Sequence, residues 1–210
     1  MTKKRMFIAG AGGFGRELIT WAADYCEDQG EGDVIGFLDD NPHALGNFPC
    51  DWTVVGNLDD FRFEPDDRVI VAVCEPTLKQ RIVERLQGRV QFATVIHPSA
   101  DVGPHCTIGV GCVVCPHVVL TTNVTLGDHV HLNLCVTLGH DAQVGSFATL
   151  NSHVDVTGGA IVEEGVFMGS HASVLPKARV GAFARVGAGS VVLRNVRPHE
   201  TVLGVPAQKV

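Results

Sequence analysis

An unbroken six-residue period between residues 102 and 192 limits the possible folds of this chain more than any other feature. Every sixth residue from Val102 to Val192 is apolar and nearly always aliphatic, and a second series of mostly small residues precedes it by two positions. Helices and ordinary strands have side-chain periods of about 3.6 and 2 residues, so neither accounts for a period of six. The pattern is typical of a parallel β-helix, in which each hexapeptide forms one short strand and one corner.

The same pattern resembles the hexapeptide repeat of the left-handed β-helix acyltransferases. In that family three hexapeptides complete one triangular coil, so residues eighteen apart stack on one another. The repeats here would then form a little over five coils, a rod about 25 Å long at about 4.8 Å per rung. Because the ends of a solenoid need covers, we expect the flanking segments to supply them.

The segment before the repeats alternates strand and helix patterns. Strands are predicted at residues 6–9, 34–38, 52–56, 69–73 and 92–96, and helices at 16–26 and 77–86. This alternation predicts a small α/β domain with a parallel sheet, equivalent to half of a Rossmann fold.

Glycines and acidic residues in this domain suggest a phosphate site. Gly10, Gly12, Gly13 and Gly15 lie between the first strand and the first helix. Such glycines let the backbone approach a phosphate at the N-terminus of a helix, and Asp39 or Asp40 could accept a ribose hydroxyl. A dinucleotide such as NAD needs two such halves, so a mononucleotide-linked ligand is the favoured interpretation. The alternative is a glycine turn that only lets the helix pack.

Net charge and cysteine content limit the possible partners and the cellular compartment of this protein. The net charge of −7 disfavours nucleic acid as a partner, because that would require a basic surface. No stretch is apolar and long enough to span a membrane, and the basic start at residues 1–10 carries too short an apolar run for a signal peptide. Seven cysteines without a CxxC pair favour a reduced, cytoplasmic protein.

Together the two parts resemble the bacterial sugar acetyltransferases, which include the nucleotide-4-amino-sugar N-acetyltransferases and the sialic acid O-acetyltransferases. The resemblance covers essentially the whole chain, and its matching pieces are Gly10–Gly15, Phe37–Asp40, Ile96–Pro98, Leu132–Asn133, His140–Asp141 followed by Val144–Gly145, Val174–Pro176 and Gly204–Ala207. It implies a nucleotide-sugar-binding domain at 1–97, a left-handed β-helix acetyltransferase domain at 98–196 and a C-terminal cap or tail at 197–210.

The resemblance also implies the site residues. His140 matches the family's general base and Asp141 the acidic residue that follows it, although Gly139 stands where some relatives have an acidic residue. Asn133 matches an asparagine near the sugar. The positions of Gly158, Ser170 and Ala188 match contacts to acetyl-CoA, the expected co-substrate, in a homotrimer, and no metal is expected.

Four residues share one phase of the eighteen-residue count and should stack on one corner: His117, Cys135, His153 and His171. They could bind zinc, line a groove between subunits, or form a solvated column. A γ-type carbonic anhydrase and a β-helix without chemistry are the remote alternatives to an acetyltransferase. The sequence leaves open the sugar, the nucleotide (UDP, GDP or dTDP), and whether nitrogen or oxygen receives the acetyl group.

Overall fold

The computed structural model describes residues 4–210 as two compact units, the first ending at Pro98 and the second running from Ser99 to Val210. The first three residues of the predicted N-terminal domain, and with them part of the basic start, lie outside the described residues. Within residues 4–210, no helix is long and apolar enough to cross a membrane.

The first unit contains a five-stranded parallel sheet and two helices. Its elements are β1 (Arg5–Ala9), α1 (Gly13–Gln29), β2 (Asp33–Leu38), β3 (Val54–Gly56), β4 (Arg68–Val71), α2 (Pro76–Leu86), β5 (Gln91–Phe92) and β6 (Val95–Ile96). The sheet order is β3-β2-β1-β4-β5, and every pair is parallel. Strands β2 and β3 lie on one side of β1, and β4 and β5 lie on the other, so the strand order reverses between β1 and β4. In α/β sheets, ligands commonly bind at the carboxyl ends of the strands at such a point.

Most element boundaries lie within three residues of those predicted, and two differences have a clear physical cause. Helix α1 begins at Gly13 instead of residue 16, because Gly12 takes the N-cap position in an extended conformation and the glycine motif runs into the first turn. The strand predicted at 92–96 is broken into β5 and β6, with Ala93, which is buried, and Thr94 between them.

The repeats of the second unit form a triangular prism with three walls of two-residue strands. The first wall contains β7 (Asp101–Val102), β10 (Val119–Leu120), β13 (Thr137–Leu138), β16 (Asp155–Val156), β19 (Ser173–Val174) and β22 (Val191–Val192). The second wall contains β8 (Thr107–Ile108), β11 (Thr125–Leu126), β14 (Gln143–Val144), β17 (Ile161–Val162) and β20 (Arg179–Val180). The third wall contains β9 (Val113–Val114), β12 (His131–Leu132), β15 (Thr149–Leu150), β18 (Phe167–Met168) and β21 (Arg185–Val186).

Strands within each wall pair in parallel with a register of eighteen residues, as Leu120 with Leu138 and Leu138 with Val156 show. The predicted inward residues are buried along most of the rod, including Leu132, Leu150 and Met168 at 0% exposure, whereas Val102 in the first coil is 39% exposed. The six-residue period thus builds one continuous apolar core along the prism axis.

Each corner turns through a residue in the left-handed region, three positions after the inward aliphatic residue. We call the junction of the first and second walls the first corner, that of the second and third walls the second corner, and that of the third and first walls the third corner. Non-glycine residues with positive φ at these corners include His105, His117, Asn123, His129, Cys135, Asp141, Phe147, His153, His171, Lys177 and Phe183.

The C-terminal segment adds two strands to the third wall. Strand β23 (Thr201–Leu203) pairs in parallel with β21, and β24 (Gln208–Lys209) folds back on it in antiparallel orientation. A backbone hydrogen bond from Ala207 to Val191 ties the end of the chain to the last coil.

Candidate active site

His140 and Asp141 form an exposed hydrogen-bonded pair on the first corner of the prism. Nδ1 of His140 lies 2.8 Å from Oδ2 of Asp141, and the two side chains are 68% and 59% exposed. An ionised carboxylate only accepts hydrogen bonds, so Nδ1 of a neutral imidazole must carry the proton. The lone pair is then on Nε2, the ring atom turned away from Asp141, which is the arrangement of a general base.

Asp141 is held from a second side by the preceding coil. Nδ2 of Asn123, eighteen residues earlier, donates to Oδ1 of Asp141 at 3.3 Å. The hydrogen bond from His140, followed by that from Asn123, lowers the pKa of Asp141 below its ordinary value against the effect of desolvation. Asp141 therefore stays ionised at neutral pH. Asn123 is a residue that the sequence reasoning missed, although counting back eighteen from Asp141 would have found it.

The ring of His140 lies over the backbone of Gly158 in the next coil. A Cβ atom added at Gly158 would stand 2.4 Å from Nε2 of His140 and 2.6 Å from Cε1. The backbone hydrogen bond from Gly159 to the carbonyl of His140 holds the two coils together at this point. Gly158 was predicted as a coenzyme contact, and in this structure it also provides the space that the imidazole occupies.

The remaining predicted site residues of the prism lie on the third corner. Asn133 follows β12, and its Oδ1 accepts the backbone N–H of Leu134 at 2.7 Å. Ser170 and Ala188 come one coil apart at the same corner, where Gly189 donates to the carbonyl of Ser170. Within one chain, the first wall separates these three residues from His140.

The column of His117, Cys135, His153 and His171 stacks on this third corner, as the eighteen-residue count predicts. All four residues have positive φ, and the rings of His153 and His171 are parallel with centroids 4.6 Å apart. Among residues 4–210, no three His, Cys, Asp or Glu side chains are grouped so that they could hold a metal ion.

The glycine loop of the first unit combines close packing with an open N-terminus. Gly10 has a φ of 109°, and a Cβ at Gly15 would lie 2.0 Å from the carbonyl oxygen of Gly10. These two glycines are therefore required by the fold. Gly12 and Gly13 have no atom within 4 Å of an added Cβ, and the first turn of α1 contains no acidic residue. The helix N-terminus at this point can accept an anion.

The two aspartates after β2 have distinct partners. Oδ2 of Asp39 accepts the backbone N–H of Ala11 at 2.8 Å, and its Oδ1 accepts that of Asn41. Asp40 instead forms a two-pronged ion pair with Arg85, and the hydrogen bond from Arg85 lowers the pKa of Asp40. Asp39 thus braces the glycine loop, while Asp40 joins the loop after β2 to α2.

Comparison with known proteins places both units in one structural group. Residues 5–86 match the PglD N-terminal domain family. WeeI from Acinetobacter baumannii AYE superposes with a TM-score of 0.88 at 25% identity, over 99% of this chain and 100% of WeeI. PerB from Caulobacter crescentus, solved with CoA and GDP-perosamine, gives 0.85 at 29% identity over 98% and 96%. The chain has the build of a hexapeptide-repeat sugar acetyltransferase.

This result confirms the predicted resemblance and the predicted fold class, an α/β domain followed by a left-handed parallel β-helix. The acetyltransferase domain of PglB from Neisseria gonorrhoeae FA1090 has the same build, with a TM-score of 0.87 at 27% identity over 98% of this chain and 99% of that domain. A short stretch of the sequence also matches a different acetyltransferase. Serine acetyltransferase of Escherichia coli K12 is 51% identical over 47 residues, which are 22% of this chain and only 17% of that enzyme.

Proposed function

We propose that this protein transfers the acetyl group of acetyl-CoA to the amino group of a nucleotide-linked 4-amino sugar, in a pathway of bacterial surface glycan synthesis. The observation that carries the proposal is the His140–Asp141 pair on an exposed corner of the β-helix, with Nε2 of the imidazole free to accept a proton. Two solved complexes of similar proteins support the two substrates: PerB was solved with CoA and GDP-perosamine, and the PglB domain with acetyl coenzyme A.

His140 acts as the general base in this mechanism. The lone pair of the neutral sugar amine attacks the thioester carbonyl, and Nε2 of His140 accepts a proton from the nitrogen as the new C–N bond forms. The tetrahedral intermediate then expels the CoA thiolate, which takes the proton back from the imidazolium. Asp141, ionised at neutral pH, keeps the proton on Nδ1 and stabilises the transient positive charge of the ring. No acyl-enzyme is formed.

The nucleotide of the acceptor sugar binds at the glycine loop of the first unit. The open backbone around Gly12 and Gly13 leaves room for a diphosphate at the N-terminus of the 17-residue helix α1. Asp39 serves this site by holding the loop through Ala11 N–H. Asp39 also accepts the backbone N–H of Asn41, and Asp40 is paired with Arg85; the ribose contact of either carboxylate stays a prediction.

A homotrimer would bring together the residues that a single chain keeps apart. His140 and Gly158 lie on the first corner, whereas Asn133, Ser170 and Ala188 lie on the third. In a closed ring of three prisms, the third corner of one copy can face the first corner of the next, so that acetyl-CoA lies in the groove between them. Half-buried apolar residues on or beside the first wall, Val119, Leu134 and Val191, fit such an interface. Light scattering of the purified protein should give three times the mass of the 22.4 kDa chain, and a monomer at assay concentration would contradict this arrangement.

The function is tested by measuring acetyl transfer from acetyl-CoA to a panel of UDP-, GDP- and dTDP-linked amino and hydroxyl sugars. His140→Ala should lower kcat by about 10² to 10⁴, which is the usual contribution of a general base. Asp141→Asn should lower it less, because the base is perturbed but present. Acetyl-CoA binding, measured by calorimetry, should change little in either variant. Near-normal turnover by His140→Ala would contradict the mechanism.

The panel also separates nitrogen from oxygen as the acceptor. Since an aliphatic amine is mostly protonated at pH 7, an N-acetyltransferase should accelerate with rising pH until the amine is free. Transfer to hydroxyl sugars alone would leave His140 as the base and exclude the amine. A cytoplasmic location, inferred from seven cysteines without a CxxC pair, stays a prediction.

A further inference from the structure

The first corner carries a hydrogen-bonded series that extends one coil beyond the proposed catalytic pair. Asn123 and Asp141 occupy equivalent positions eighteen residues apart, with φ of 54° and 62°. Asn and Asp tolerate this left-handed conformation better than other non-glycine residues. The repeat therefore stacks an amide donor directly on the carboxylate that faces His140.

The geometry divides the two oxygens of Asp141 between two partners. Oδ1 accepts from Nδ2 of Asn123 at 3.3 Å, and Oδ2 pairs with Nδ1 of His140 at 2.8 Å. A carboxylate bonded through one oxygen only can rotate about its Cβ–Cγ bond, and its side chain here is 59% exposed to solvent. The second bond limits that rotation and keeps Oδ2 directed at the imidazole.

We propose that Asn123 is a positioning residue for the transfer reaction: it holds the Asp141 carboxylate in the orientation that keeps His140 protonated on Nδ1 and unprotonated on Nε2. This inference rests on the proposed function for its kinetic consequence, but the tautomer of His140 is a property of the protein alone. Asn123 does not touch the reacting atoms and acts only through Asp141.

The surroundings of Asp141 leave this role to Asn123. The next residue of the corner in the following coil is Gly159, which has no side chain, and the one after it is Lys177, whose Cγ would lie 3.6 Å from a Cβ at Gly159. His105 precedes Asn123 on the same corner. The charged or titratable groups on this line of the first corner are therefore His105, Asp141 and Lys177, with His140 beside them. The side chain that bonds the Asp141 carboxylate from the preceding coil is the amide of Asn123.

The test uses Asn123→Gly, Asn123→Asp and the control His105→Gly in the full-length protein. Glycine accepts positive φ, so Asn123→Gly removes the amide without straining the corner. We expect kcat to fall about 3- to 30-fold with both KM values nearly unchanged, because one orienting hydrogen bond is lost while the bond from His140 to Asp141 is kept. His105→Gly makes the same backbone change one coil away and should keep full activity.

Asn123→Asp distinguishes positioning from a purely structural role. It replaces the donor by a second carboxylate beside Asp141, and the added negative charge favours the imidazolium form of His140. The rise of kcat/KM with pH should therefore move to higher pH, whereas a structural defect would lower activity equally at all pH values. An unchanged profile in this variant, together with full activity in Asn123→Gly, would overturn the inference.

A direct readout keeps this test independent of the enzymatic activity. Two-dimensional NMR of the protein labelled with ¹⁵N-histidine reports which ring nitrogen carries the proton, and His140→Gln identifies the His140 signals by their loss. The wild type should show the Nδ1–H form, and Asn123→Gly should show a mixture of both tautomers. If the wild type acetylates no sugar, the function fails while the tautomer result still stands. If Asn123→Gly keeps the pure Nδ1–H form, the inference fails while the function stands.

Discussion

Replacing Gly158 by alanine should disable the proposed catalytic base without unfolding the protein. The added Cβ would stand 2.4, 2.6 and 2.9 Å from Nε2, Cε1 and Cδ2 of His140, distances that non-bonded atoms do not sustain. The backbone on either side is fixed by the hydrogen bonds from Gly159 to His140 and from Lys177 to Gly158. The imidazole, which is the mobile partner, must therefore swing away from the position in which Asp141 holds it.

The size of the effect follows from this displacement. Relieving a 2.4 Å contact requires a shift of about 1 Å, and a misplacement of that size costs about 10² in rate, or about 2.7 kcal/mol of transition-state stabilisation. We expect kcat of Gly158→Ala to fall about 100-fold, approaching the level of His140→Ala. The double variant should be no worse than His140→Ala alone, because both changes remove the same base.

Stability should respond in the opposite sense. The φ of Gly158 lies outside the left-handed region, so alanine adds no backbone strain. It should raise the free energy of unfolding by about 0.4–1 kcal/mol, because alanine lowers the conformational entropy of the unfolded chain. Gly159 is the matched control: its φ is 67°, but the nearest atom to an added Cβ is 3.6 Å away. Gly159→Ala should lower the free energy of unfolding by about 1 kcal/mol and leave kcat within a few-fold.

Steady-state kinetics of Gly158→Ala and Gly159→Ala test the predicted loss of kcat, and thermal denaturation tests the predicted changes in stability. Full kcat in Gly158→Ala would refute the steric reasoning. An increase in the KM for acetyl-CoA with kcat unchanged would show instead that Gly158 serves the coenzyme alone, as the family resemblance implies.

Two further predictions concern the first unit. Gly12→Val should raise the KM for the nucleotide sugar by about 10-fold or more and leave that for acetyl-CoA unchanged, because an added Cβ has no protein atom within 4 Å and the side chain would fill the proposed phosphate site. Equal losses toward both substrates would indicate misfolding. Asp67 is 2% exposed and accepts two hydrogen bonds from Arg5. Asp67→Asn should therefore destabilise this unit by about 1–3 kcal/mol, a value between those of exposed and buried ion pairs. Burial raises the pKa of Asp67, but the bonds from Arg5 and Glu64 N–H outweigh it and lower the pKa overall; its stabilisation is therefore complete above the unfolded pKa of about 3.9 and is lost as pH falls through the folded value. Denaturation from pH 7 to 3 should show a steeper acid loss in the wild type than in Asp67→Asn, while the neighbouring exposed Asp66→Asn should behave as wild type, and parallel curves for all three would contradict the assignment.

The sequence by itself determined the architecture of this protein. A period of six over residues 102–192 admits one kind of solenoid, because every other regular structure would scatter the apolar residues over its surface. The eighteen-residue count further predicted that His117, Cys135, His153 and His171 share a corner, and their positive φ values and the parallel rings of His153 and His171 agree. The glycine motif between strand and helix likewise located the loop of the first unit, although it misplaced the start of α1 by three residues.

Only the tertiary structure decided what neighbouring coils do to the candidate site. The family resemblance singles out Gly158 and the eighteen-residue count places it next to His140, but only the structure shows that an added Cβ there would meet the His140 ring. The same holds for Asn123, whose bond to Asp141 depends on side-chain rotamers that the repeat does not specify. Asp39 and Asp40 are equivalent in sequence, yet one binds Ala11 and the other Arg85, forty-five residues away. The physical reason is that a repeat sets the backbone path through local, periodic burial, whereas hydrogen bonds and steric contacts depend on which side chains that path places side by side.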